Sequence, residues 1–270
     1  MPLLDTLFGS NHDLGPCRLC GEHGTSTVGP VAPTHGGKFH TDAFVLQHCS
    51  RCGVVYLDPL PTSDDLKLLY EESEQFTDVH YTDPIQVGRI LDYYSTALRN
   101  LRLLPDGGGR VLEVGAGLAW VSRACKKVNP EIETVAQDVS NECAQACPWV
   151  DRYFIGPIDA LPDAGAFDLI SLTHVIEHLA DPAAMLRKLG ALLAPKGKLF
   201  ITAPFRPSKW RPADGIAPWL KYSYLHVPAH ITYFSRRWFS QQERHCGLSV
   251  LAWDDTHEDG QAFELVLGKT

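Results

Sequence analysis

The sequence predicts an α/β protein: a doubly wound parallel sheet behind a small, metal-held N-terminal module. Three observations predict it. From Arg110 onward, short apolar runs alternate with helical stretches, the pattern of parallel strands covered by helices on both faces. A glycine turn, Gly115-Ala116-Gly117, separates the first of these strands from its helix, where free backbone N–H groups can meet a ligand. Four of the eight cysteines stand in the first 52 residues, as the pairs Cys17/Cys20 and Cys49/Cys52.

Each pair is a C-x2-C knuckle, and two knuckles present four thiolates to one tetrahedral Zn2+. The ion supplies the cross-link that a segment of about 50 residues cannot get from its own core. Gly21 and Gly53 follow the second cysteine of each pair, where a tight turn favours a residue without Cβ. Gly29, Pro30, Pro33, Gly36 and Gly37 in the spacer predict loop and short strand. Residues 44–48 and 54–57 predict short strands around the second knuckle, as in a zinc ribbon. Four thiolates leave no open position for water, so the expected zinc is structural; a redox pair is the alternative. Cys125, Cys143, Cys147 and Cys246 have no knuckle spacing and are read as ordinary thiols, with no neighbouring base.

Further along, Thr62 or Ser63 caps a helix carrying Leu66, Leu69 and Tyr70. A second helix is expected over about 84–103, with Ile90, Leu91, Tyr94, Leu98 and Leu101 near helical spacing, broken by Pro105-Asp106-Gly107. Strands are then expected at 111–114, 134–137, 153–155, 167–172 and 198–202. Helices are expected at 122–128, 141–147 and 183–193, the last stopped by Pro195-Lys196-Gly197. Residues 248–253 and 262–267 fit a closing pair of strands at the sheet edge. The expected division is a ribbon over 1–61, a helical connector over 62–105, and a cofactor domain over 106–270 with a lid insertion at about 204–234.

Composition narrows the function. The chain has 270 residues, 44% hydrophobic and 21% charged, enough apolar surface for a core. A net charge of −8 weighs against tight, non-specific nucleic-acid binding, which rests on neutralising phosphates. No run of about 18 apolar residues exists, and residues 1–6 lack a basic, apolar leader, so a cytoplasmic protein with no membrane partner is expected.

The glycine turn selects among ligands. A dinucleotide fingerprint needs glycine where Trp120 stands, and the G-K-[ST] of a phosphate-binding loop is absent. Two acids are present instead: Glu113 just before the first glycine, and Asp138 beyond the second strand. An acid near the turn can complement an ammonium, and one at the strand end can accept two ribose hydroxyls, as S-adenosylmethionine would need.

Residues 111–117, Val-Leu-Glu-Val-Gly-Ala-Gly, resemble the first motif of class I S-adenosylmethionine-dependent methyltransferases. Asp138 matches that family's ribose-binding acid, residues 156–162 its adenine-contacting segment, and residues 167–182 its fourth-strand motif with a V-x-E-H ending at His178. The family's third glycine falls at Ala119. The resemblance implies a Rossmann-like seven-stranded sheet and S-adenosyl-L-methionine as cofactor. Cofactor contacts are then expected at Glu113, Gly115, Ala116, Gly117, Asp138, Val139, Ile158, Asp159 and His174. Residues 49–61 also resemble the C-x2-C-G-x-V-Y-x-x-P-x-P segment of a subgroup of small-molecule methyltransferases that tailor natural products and saccharides.

The methyl of a sulfonium is already activated, so the protein must align the acceptor and exclude water. An oxygen or nitrogen acceptor gains from a general base. His174, His226 and His230 are the candidates; His178 is read as orienting the following turn. The segment after the fifth strand is rich in proline and aromatics and reads as a substrate lid. Its Arg206, Lys209, Arg211 and Lys221 suit either an anionic acceptor group or a solvated face. The expected function is methyl transfer from S-adenosylmethionine to oxygen or nitrogen of a small molecule. The alternatives are an RNA methyltransferase with a zinc module, and a zinc-ribbon interaction protein with a vestigial cofactor fold.

Overall fold

In the computed structural model the described residues are 15–34, 38–72, 83–162, 165–256 and 260–269. Expectations for residues 1–6, Gly36, Gly37 and the Tyr70 side chain lie outside them. Strands β1 (Thr25–Val31), β2 (Phe44–Cys49) and β3 (Val55–Asp58) form an antiparallel meander around the cysteine knuckles. Its fourth strand comes from far along the chain: β9 (Thr232–Tyr233) pairs with β3, setting Val55 opposite Tyr233 and Tyr56 opposite Thr232. The reason is burial. Phe44, Leu46, Val55 and Leu57 form an apolar face that so short a module cannot cover alone. Trp210, Trp219, Tyr222, Val227 and Tyr233 cover it. The segment expected as a lid therefore packs as the other half of the ribbon's core.

Helix α1 (Ser63–Glu72) starts with a reciprocal cap. Asp65 N–H donates to Thr62 Oγ1 at 3.2 Å, and Thr62 N–H donates to Asp65 Oδ2 at 2.7 Å. Helix α2 (Pro84–Asn100) is capped by Asp83, whose Oδ1 accepts from Ile85 N–H at 3.0 Å. It stops short of the expected residue 103, because Arg102 takes a left-handed φ of 48°.

The second sheet has seven strands. β4 (Arg110–Val114), β5 (Glu133–Asp138), β6 (Arg152–Ile155), β7 (Phe167–Thr173) and β8 (Leu193–Pro204) pair in parallel, while β11 (Ala262–Lys269) runs antiparallel to both β8 and β10 (Leu248–Asp254). The order is β10-β11-β8-β7-β4-β5-β6. The expected α/β fold is present, with β10 at the edge. Helices α3 (Trp120–Val128), α4 (Pro182–Leu192) and α5 (Arg236–Cys246) complete it. Central strands β4 and β7 bury Leu112, Val114, Ile170 and Leu172 in one cluster and Val111 and Leu169 in another, which fits helices on both faces.

Two elements differ from expectation. Residues 141–147 form a single 3-10 turn, Ala144–Ala146, rather than a helix. Pro148 disfavours helical backbone at Cys147, and local side chains take the N–H groups of Ser140 and Glu142. Strand β8 begins at Leu193 and absorbs Pro195-Lys196-Gly197, which the sequence suggested as a helix stop. Helix α5 ties the two sheets together: Trp238 is buried, and its Nε1–H donates to Leu19 O at 3.0 Å, between the first pair of cysteines. Among the described residues, no helix is long and apolar enough to cross a membrane.

Candidate cofactor and acceptor site

The sheet order reverses beside β4, with β5 on one flank and β7 on the other. In such sheets the crevice at the carboxyl ends of the strands takes the ligand. Residues 115–119 line it. Gly115 has φ 63°, and a Cβ there would stand 2.5 Å from Val175 Cγ2, so only glycine lets the β4 loop lie against the loop after β7. Gly117 has φ 49° with open space where a Cβ would point. Ala119, at the place of the third family glycine, also adopts a left-handed φ of 51° and precedes α3 without a side-chain cap. Two anchors escaped the sequence reading. Tyr153 Oη donates to Gly117 O at 2.8 Å, and Trp149 Nε1–H donates to Ala119 O at 3.1 Å. Neither belongs to a motif with a readable spacing.

The two acids have different tasks. Asp138, at the end of β5, accepts from Gly117 N–H at 2.8 Å through Oδ2 and from Ser140 N–H at 3.0 Å through Oδ1. A carboxylate has about four acceptor sites, so each oxygen keeps capacity for a ligand hydroxyl. Val139 beside it is 64% exposed, an apolar surface at the crevice. Glu113 was expected to meet an ammonium; the structure turns it inward instead. It is 1% exposed and accepts from Val121 N–H at 3.1 Å, Ser122 N–H at 2.7 Å and Ser122 Oγ–H at 2.7 Å. It thus satisfies orphan donors at the start of α3, which the side chain of Ala119 leaves uncapped. Burial pushes its carboxyl from 4.5 up to about 7. Ile158 is buried, and Asp159 makes an ion pair with Lys188 on α4.

The histidines converge. His174 follows β7, takes a left-handed φ of 56°, donates its backbone N–H to Thr202 O at 2.9 Å, and stacks on Tyr224 with ring centres 6.0 Å apart. His226 and His230 lie with ring centres 4.8 Å apart, and His178 and His230 at 4.9 Å. Burial drives His230 down to about 3, so at neutral pH it is an uncharged ring and a weak base. Glu177, wholly buried, sits among them. The V-x-E-H motif marks Glu177 and His178 in the sequence, but only the fold brings His230 to them. Arg206, Lys209 and Arg211 line a separate cleft of about 380 Å³ just after β8, together with Asp255; Lys221 is not in its lining.

The four cysteines of the knuckles meet. Cys17 Sγ and Cys52 Sγ are 3.9 Å apart, Cys20 Sγ and Cys49 Sγ 3.8 Å, and all four sulfurs lie within 4.8 Å of one another. A tetrahedron with Zn–S bonds of about 2.3 Å has edges of about 3.8 Å, so the donor set fits that ion. Both knuckles close alike: Gly21 N–H donates to Cys17 O and Gly53 N–H to Cys49 O, each at 2.7 Å, with left-handed glycines at φ 73° and 77°. Of the other cysteines, Cys125 is buried in α3, and burial raises Cys147 to about 12, the opposite of what a nucleophile needs.

Known proteins share this architecture. A family model described as a methyltransferase domain matches residues 62–252. Ubiquinone biosynthesis O-methyltransferase of Xanthomonas axonopodis pv. citri is 32% identical over 135 residues, 46% of this chain and 51% of that protein. The chain thus spans about half the length of the curated relatives it matches. The structure of 1,6-didemethyltoxoflavin-N1-methyltransferase from Burkholderia thailandensis, with its substrate and S-adenosylhomocysteine bound, superimposes with a TM-score of 0.56 at 17% identity, covering 82% of this chain and 96% of that one. The plantazolicin methyltransferase BpumL, also with S-adenosylhomocysteine, gives 0.54 at 13% identity over 76% and 93%. At these identities the likeness is one of fold. With the family match spanning most of its length, the chain belongs to the methyltransferase-domain family.

Proposed function

We propose that the chain transfers a methyl group from S-adenosylmethionine to an oxygen or nitrogen of a small molecule. One observation carries the reading: Asp138 holds the Gly117 N–H at the switch point of the sheet while its carboxylate keeps acceptor capacity toward the crevice. The residues fit the cofactor. Gly115, Ala116 and Gly117 offer close backbone approach, Asp138 suits a ribose, and Val139 and Ile158 offer apolar contact. When bound, S-adenosylmethionine supplies a methyl already activated by the sulfonium. The chain's own part is to orient and desolvate. His174 and His226 are the base candidates at the mouth, and His230, held neutral by burial, suits positioning better than proton abstraction. The Arg206–Lys209–Arg211 cleft shares no lining residue with the glycine loop or the histidines, and it suits either an anionic group or a solvated face. Zn2+ in the Cys17, Cys20, Cys49 and Cys52 centre would hold the ribbon and take no part in the reaction.

Calorimetry with S-adenosylmethionine tests this. The full chain is expected to bind it, and Asp138→Ala to weaken binding at least tenfold, about 1.4 kcal/mol or more. No binding by the folded wild type removes the proposal; unchanged affinity in the variant removes the ribose assignment.

A further inference from the structure

Glu177 is a costly side chain to leave as it stands. It is 0% exposed, and neither carboxylate oxygen has a hydrogen-bond partner. An isolated buried carboxylate is strongly disfavoured unless a cation or donors compensate it. What faces it is imidazole. His174 Nδ1 lies 3.5 Å and His178 Nε2 3.9 Å from Glu177 Oε1, and His230 closes the cluster from the segment before β9.

The outer contacts of two of these rings decide which nitrogen faces inward as an acceptor. His178 Nδ1 is 2.9 Å from Ala229 O, and His230 Nδ1 is 2.8 Å from Tyr224 O. A carbonyl oxygen can only accept, so both Nδ1 atoms carry the proton and donate it. In the neutral ring the Nε2 atom then carries a lone pair. His178 Nε2 so placed faces Glu177 Oε1 at 3.9 Å, and two lone-pair atoms facing each other repel unless something positive lies between them. One ligand atom from each of Glu177, His178 and His230 lies within 4.8 Å of the others. Two imidazoles and one carboxylate, each imidazole oriented by a backbone carbonyl, are the donor set and the outer support of a divalent transition-metal centre.

We propose that Glu177, His178 and His230 bind a first-row divalent metal ion of the Zn2+, Fe2+ or Mn2+ class, separate from the four-cysteine centre. Three protein ligands leave coordination positions open. Those positions suit oxygen donors, either water or a hydroxyl or carboxylate oxygen of an acceptor. The centre stands at the carboxyl end of β7, next to Val175, which touches the glycine loop, and beside His174, whose side chain is 39% exposed. The inference does not depend on methyl transfer: metal binding is measured without it.

The test uses the purified full chain, equilibrated with Zn2+ and dialysed. Wild type is expected to hold about two ions per chain, and Glu177→Gln or His230→Gln about one. Cys17→Ser with Cys20→Ser is expected to keep the second ion. Since a variant can fail to fold, Co2+ is also titrated into wild type whose cysteine centre is filled with Zn2+. A visible cobalt d–d band without a thiolate-to-cobalt charge-transfer band supports the site, and Glu177→Gln is expected to weaken that titration about 100-fold. One ion per wild-type chain, or Co2+ that gives only the thiolate band, overturns the proposal.

Discussion

Replacing Glu113 by glutamine separates two roles for the acid before the glycine loop. The carboxyl is buried against the start of α3 and accepts from three donors. Burial raises it from 4.5 to about 7. The unfolded chain releases this proton near pH 4.5, while the folded chain keeps it until about pH 7. The stability contributed by the raised group is therefore fully present below pH 4.5 and is lost as pH rises through 7. Each tenfold change in proton affinity is worth about 1.4 kcal/mol, so the loss totals about 3 kcal/mol. Glutamine does not titrate. The free energy of unfolding of wild type minus that of Glu113→Gln should thus fall by about 3 kcal/mol between pH 4.5 and pH 8. At low pH the variant should be the less stable, because its single amide oxygen leaves at least one backbone donor of α3 short, a cost of about 1–3 kcal/mol. Urea unfolding of both proteins across this range reads the difference and cancels every other titrating group. A difference that stays flat, or that grows with pH, would refute the reasoning: the α3 donors would then be holding Glu113 ionised against its burial.

Two other perturbations test the site's framework. Gly115→Ala places a Cβ 2.5 Å from Val175 Cγ2 in a left-handed backbone; it should cost about 1–3 kcal/mol and lower cofactor affinity. Thermal melting checks it, and adding Val175→Ala should restore part of the loss; full stability in the single variant would mean the two loops are not in contact. Stripping the cysteine centre with a chelator, or Cys52→Ser, should lower the melting temperature of the whole chain in one transition, since β3 pairs with β9 and Trp238 donates to Leu19 O. A separate low-temperature transition, with the cofactor sheet melting unchanged, would contradict that coupling.

The cofactor half was legible because its signals are local. Fully apolar strands, the Gly115–Gly117 turn and an acid at the end of β5 all act within a few residues of themselves, and each lies where the pattern puts it. Glu113 was misjudged because its position in the strand was plain but its direction was not. Ala119 leaves α3 without a cap, and the nearest buried acid satisfies those donors. The helix expected at 141–147 failed for a comparable reason: short side chains beside Pro148 compete for the same N–H groups. Tyr153 and Trp149 carried no signal, since what they hold is a backbone carbonyl in a loop distant along the chain.

The sequence by itself determined the two centres that short spacing encodes, the paired knuckles and the strand–glycine–helix loop, together with the α/β class. Only the tertiary structure decided what lies between them. The apolar face of β2 and β3 needs a partner, and residues 210–233 supply it, adding β9 to the ribbon sheet. The same packing sets His230 against Glu177 and His178, 53 and 52 positions earlier in the chain. Glu177 and His178 stand together in one turn and in one motif, but His230 and the carbonyls of Tyr224 and Ala229 that orient the rings come from a distant segment, so no periodicity or spacing announces that they meet. Long-range burial alone brings them to one point.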